Sequence, residues 1–163
     1  MKRITIIDGY NLIFQIPELR RLIERDLESA REQFLDSLSF YAVKKQAEYT
    51  VVFDGDGQDR LETRRRQGVR ILFSKPPMKA DPVIKRMLSE KKDNEDMVVV
   101  TSDIEISTYA RICGVKVEMS QKFAKDMTAE PGSEVEKKFD HRLSESEVEE
   151  WMSLFKKGDP ESG

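Results

Sequence analysis

The sequence predicts an α/β fold built on a mainly parallel sheet. Strand-like runs alternate with helical stretches along most of the chain. The runs are apolar without alternation, the pattern of strands buried on both faces. Three of the runs also end in an acid, in "IIDG", "VVFDG" and "VVVTSD", which gives the sheet one edge with chemistry on it.

Arg3 to Asp8 reads as the first strand, β-branched and uninterrupted. Pro17 precedes a long helical stretch from Glu18 to about Gln46. Leu19, Leu22, Ile23 and Leu27 recur there at helical spacing, and Phe34, Leu35, Leu38 and Val43 continue the pattern. Asp26 or Ser29 can cap a second helix within it. Tyr49–Gly55 is the second strand and Val69–Ser74 the third, with a polar connection between them that reads as mostly loop. "KPPMK" cannot lie in a strand interior, because proline has no N–H to give the ladder. "ADPVIKRMLSEKK" reads as a helix with Asp81 at its N-cap and Pro82 in its first turn, where a missing N–H costs nothing. Asp96–Asp103 holds the fourth strand, and the next helix is stopped by Gly114. "VKVEM" is the fifth strand, and Ser120 to Met127 a short helix.

The chain of 163 residues suits one domain over 1–129. Residues 130–163 read as an acidic linker followed by a C-terminal helix docked on that domain. Ser144 and Glu147 have capping-box spacing, and Val148, Trp151, Met152 and Phe155 form an apolar face. No run approaches the roughly 18 apolar residues of a membrane span. The first residues enter a strand directly, so neither a signal peptide nor a membrane association is expected. A single Cys113 excludes an internal disulfide and fits a cytoplasmic setting. One Cys and one His cannot build a Cys/His zinc site, so a metal here would be held by oxygen, which suits Mg2+ or Mn2+.

In an open parallel sheet all strand C-termini share one edge, where ligands bind. Asp8, Asp54 and Asp103 should therefore meet on one rim, joined by Asp81 at a helix start on the same side. Clustered carboxylates repel one another and resist ionisation, and a divalent cation relieves both effects. For any single acid, a cap or turn role is the ordinary alternative.

Four stretches in order carry a family resemblance: "IIDGYNLI", "VVFDG", "ADPVIKRM" and "VVVTSDIEI". Together they resemble the NYN domains of the PIN-like nuclease superfamily, most nearly the bacterial YacP-like branch. The resemblance implies a three-layer α/β/α sandwich, PIN-like, and a metal-dependent endoribonuclease acting on RNA, with mRNA at the ribosome as one setting. It matches Asp8 to the first metal-binding acid and Asn11 to a supporting residue. Asp54 matches the acid after the second strand, Asp81 the first acid of an "ADD" motif, and Asp103 the acid of "TSD", with Ser102 in support. Asp8, Asp81 and Asp103 would hold one or two ions, with Asp54 beside them. The sequence departs from the family pattern at Pro82, which stands where a second acid is expected, and it lacks the basic residue that often follows "TSD". Asp126 is a candidate for an additional carboxylate.

Net charge is −3 but uneven. Residues 60–79 hold seven Lys/Arg and one acid, whereas residues 130–163 hold ten acids and five bases. Arg60, Arg64, Arg65, Arg66 and Lys79 are the expected RNA contacts, on a loop at the acidic rim, since guanidinium groups pair well with phosphate. Tyr10 is a candidate to stack on a base or to pack locally.

Other readings are weaker. "DGDGQD" offers the paired acids of a haloacid-dehalogenase-like phosphatase, but Gln58 stands where Thr or Val belongs, and the same residue breaks a calcium loop. The stronger rival keeps the fold and loses the chemistry: a catalytically degenerate RNA- or ribosome-binding module, motivated by Pro82.

Overall fold

The computed structural model of the chain describes residues 2–55, 62–75 and 79–129. Its strands are β1 (Lys2–Asp8), β2 (Tyr49–Phe53), β3 (Glu62–Arg66), β4 (Val69–Phe73), β5 (Glu95–Val100) and β6 (Lys116–Glu118). Its helices are α1 (Gly9–Ile13), α2 (Pro17–Ile23), α3 (Leu27–Lys45), α4 (Ala80–Ser89), α5 (Ile104–Ile112) and α6 (Ser120–Ala129). The strands form one sheet in the order β3-β4-β2-β1-β5-β6. Every pairing is parallel except β3 with β4.

Continuous apolarity in the strands has a direct cause. Ile6 and Ile7 are both fully buried, yet they belong to different cores. Ile7 packs with Phe34, Leu38, Phe53 and Phe123 on one face, while Ile6 packs with Ile84, Val99 and Ala110 on the other. Successive strand side chains point to opposite faces, so a sheet covered by helices on both sides needs apolar residues at every position. Residues from α1, α2, α3 and α6 make the first core, and residues from α4 and α5 the second. The three-layer sandwich is the fold. Among the described residues no helix is long and apolar enough to cross a membrane.

The long helical stretch divides as its capping residues suggest. Asp26 is the N-cap of α3, and its carboxylate accepts a hydrogen bond from the Ser29 N–H at 3.1 Å. Leu27 and Val43, read as part of the apolar stripe, are instead exposed at the two ends of α3.

Two expectations are corrected. The connection after β2 is not loop alone: Glu62–Arg66 is an antiparallel edge strand, in register with Phe73 through Val69 of β4. No apolar pattern announces it, because an edge strand needs only one partner and charged side chains suit its open side. Asp81 is not an N-cap. Lys79 holds that position and Asp81 is the second residue of α4. Residues 130–163, with the proposed linker and docked helix, lie outside the described residues.

Candidate metal centre

From β1 the chain runs to β2 and β4 on one side, then returns to β5 and β6 on the other. The direction of winding reverses at β1, and in open α/β sheets ligands bind beyond the strand C-termini at such a reversal. Asp8 ends β1 there, and Thr101–Asp103 follow β5 beside it. Asp54 follows β2 on the same edge, and Asp81 enters from the start of α4.

Asp8 is largely covered. Burial first of all pushes its carboxyl up from an ordinary 3.8 to about 6, and Asp103, Asp54 and Asp81 add to this by repulsion. The other three sequence-predicted acids therefore all act on Asp8. The opposing contribution is a hydrogen bond from Thr101 Oγ1 to Asp8 Oδ2 at 3.0 Å. Thr101 is fully buried, and the same hydroxyl oxygen accepts from the Asp103 N–H at 3.0 Å. One side chain thus fixes two of the acids relative to each other.

Gly9 makes the exit from β1 possible for a reason other than left-handed backbone. A Cβ there would lie 2.4 Å from Phe53 Cε1 and 3.0 Å from the Val52 carbonyl oxygen. Close approach to β2 excludes any side chain.

Asn11 supports the site from a different direction than a bond to Asp8. Its Oδ1 accepts from the Ser102 N–H at 2.9 Å, from Ser102 Oγ at 3.0 Å and from Ser120 Oγ at 2.6 Å. It ties α1 to the turn that carries Asp103 and to the start of α6. Ser102 is its partner in that arrangement.

The remaining acids divide their duties. Asp54 Oδ1 accepts from the Ala80 N–H at 2.6 Å and so caps α4 from across the rim. Asp103 caps its own helix, accepting from the Ile106 N–H at 3.0 Å. Asp81 does neither. Its Oδ1 is buried without a hydrogen bond, and Lys85 Nζ lies 3.4 Å away. Asp81 and Asp103, joined by Glu105, offer oxygens that all lie within 4.8 Å of one another. Glu105 is a residue that sequence reading missed. It stands two places beyond the "TSD" acid in the first turn of α5, and only the packing of α5 beside α4 brings it to Asp81. Lys85 was missed as well. Its ammonium is 2.7 Å from Glu105 Oε2, and that hydrogen bond raises its pKa above the ordinary lysine value.

The basic residues do not gather at the acids as a group. Because β3 runs antiparallel, Glu62 lies beside Phe73 at the rim end and Arg66 beside Val69 at the far end. Arg66 is paired with Glu32 and Asp36 of α3. Arg65 lies opposite Arg70 and lines a cleft of about 600 Å3 at the strand N-termini, the edge away from the acids. Arg64, exposed, stacks over the Phe73 ring at 5.0 Å. Lys79 is exposed at the N-cap of α4, on the acidic edge. Arg60 lies outside the described residues. The expected arginine loop at the rim is therefore corrected for Arg65 and Arg66. Tyr10 packs locally: its ring meets Phe53 at 4.8 Å, and its hydroxyl accepts from buried Arg31 at 3.0 Å. Asp126 is exposed and paired with Lys122 at 3.0 Å, a surface role.

This donor set fits a hard divalent ion. It consists of carboxylate oxygens alone, one of them buried without a hydrogen-bond partner, and the Asp8 carboxyl is raised to about 6, by burial first and by the neighbouring acids after it.

A family model described as the YacP-like NYN domain matches residues 5–156. Among solved structures the chain is similar to Rae1 (YacP) from Bacillus subtilis, with a TM-score of 0.65 and 21% identity over 95% of this chain and 84% of that one. A tryptophan-to-leucine variant of the same protein gives the same TM-score and identity over 92% of this chain and 89% of that one. No curated protein matches.

Proposed function

The chain belongs to the YacP-like NYN domain family, and on that basis we propose that it is a metal-dependent endoribonuclease that hydrolyses phosphodiester bonds of RNA, with mRNA at the ribosome as the setting. The observation that carries this reading is the convergence of Asp8, Asp54, Asp81 and Asp103, with the Asp8 carboxyl lifted to about 6. Asp8 gains nothing in stability from being covered beside three other acids, and a bound cation would relieve that cost.

Asp8, Asp81 and Asp103 would hold Mg2+ or Mn2+, which when bound would supply Lewis-acid charge at the scissile phosphate and lower the pKa of the attacking water. Thr101 holds Asp8 and the Asp103 turn in register, and Asn11 holds that turn through Ser102. Asp54 keeps the first turn of α4 in place, and with it Asp81. Lys79 and Arg64 are the described basic residues best situated to meet flanking phosphates.

The test is cleavage of a panel of single-stranded and structured RNAs, and of mRNA in a translating extract, with Mg2+ or Mn2+. Wild type should cut internally, whereas Asp8→Asn and Asp103→Asn should lose at least 100-fold while remaining folded. Cleavage that survives Asp8→Asn would exclude this site. RNA binding without cleavage in either metal would favour the degenerate binding module.

A further inference from the structure

We propose that Lys85 fills the place of a second cation, so that the centre takes up a single divalent ion. The inference rests on the metal-dependent reading above and specifies its ion count.

Two independent observations meet at this residue. The residue after Asp81 is Pro82, whose side chain offers no oxygen to an ion. One helical turn on from Asp81, Lys85 directs its ammonium between Asp81 Oδ1 at 3.4 Å and Glu105 Oε2 at 2.7 Å. Those acids are two of the three whose oxygens lie within 4.8 Å of one another. The ammonium also stands 5.9 Å from the centre of the Tyr109 ring, and three quarters of the Lys85 side chain is covered. The lysine is therefore held in place by groups from both α4 and α5, rather than swinging free in solvent.

A two-ion site places its metals about 4 Å apart and needs bridging and terminal carboxylates for each. Here Glu105 Oε2 is engaged with Lys85. An ammonium in contact with Asp81 and Glu105 repels a divalent ion that approaches the same oxygens. Asp8 and Asp103, with the other side of Asp81, remain for one ion. Lysine thus supplies permanently, as one charge, what a second ion would supply reversibly.

The test counts bound ions without reference to activity. Full-length protein, free of RNA, is titrated with Mn2+ at neutral pH and low salt, and free Mn2+ is read by electron paramagnetic resonance. Wild type should bind one Mn2+ per chain, and Lys85→Met two. Adding Asp8→Asn to Lys85→Met should bring the count below two, which ties the ions to this centre. Two ions in wild type would overturn the inference, as would one ion in both wild type and Lys85→Met with circular dichroism unchanged. An extra ion that persists after Asp8→Asn would overturn it too. Absence of Mn2+ from both proteins would remove the metal-dependent reading itself, and this inference with it.

Discussion

Replacing Asp8 by Asn should stabilise the metal-free protein while removing its activity. The Asp8 carboxyl titrates near 6 in the folded chain against an ordinary 3.8, because it is buried and faces Asp103, Asp54 and Asp81. A group whose pKa rises on folding favours the folded state while it is protonated. Its contribution is complete below about 3.8 and is lost as pH rises through about 6. The gap of about two pH units, at about 1.4 kcal/mol each, comes to about 3 kcal/mol above pH 7. Asn keeps the acceptor for Thr101 and carries no charge, but its amide must also be buried, so a gain of about 1–3 kcal/mol is expected. For a chain of this size that is about 3–10 °C in Tm. The assay is thermal and urea denaturation of both proteins in chelator at pH 7.5 and pH 4. The variant should be the more stable at pH 7.5, and the two should converge at pH 4. Saturating Mn2+ should reverse the order by stabilising wild type alone. A variant no more stable than wild type at pH 7.5 in chelator would refute the reasoning. So would a difference of equal size at both pH values.

Thr101→Val removes the donor to Asp8 and the acceptor for the Asp103 N–H; Mn2+ affinity by calorimetry should fall about 10–100-fold, with about 1–3 kcal/mol lost in urea denaturation. Gly9→Ala drives a methyl group into the Phe53 ring, which is packed by Tyr10, Phe34 and Phe73, and should cost about 1–3 kcal/mol by thermal denaturation. Arg64→Ala should weaken RNA binding and flatten its salt dependence by about one phosphate contact. Arg66→Ala should leave the salt slope unchanged, since that side chain is engaged with Glu32 and Asp36; an equal effect of the two changes in a filter-binding assay would contradict the placement of β3.

What sequence reading reached here, and what it missed, follows physical lines. Strands buried on both faces write themselves as unbroken apolar runs, so β1, β2, β4 and β5 and the acids at or just beyond their ends were legible. The split between α2 and α3 was legible through Asp26, whose short side chain competes for a helix N–H. β3 was not, because "ETRRR" has no apolar residue to mark it; its identity lies in the ladder with β4. The exact position of Asp81 was missed since Asp54, distant in sequence, satisfies the N–H that a local cap would have taken. Glu105 and Lys85 look like ordinary helix-surface charges in one dimension. Their meeting depends on how α4 and α5 lie together, which no local pattern encodes.

The three hydrogen bonds at the Asn11 carbonyl have a consequence in time. Asn11 lies near the start of the chain, Ser102 is 91 residues on, and Ser120 is 109 residues on. A chain still being synthesised carries Asp8 early, with nothing to hold it against the Asp103 turn. The acidic rim is completed only when most of the polypeptide has emerged. An unfinished copy of this protein thereby lacks the acidic rim, since Asp8 meets its partners only late in synthesis.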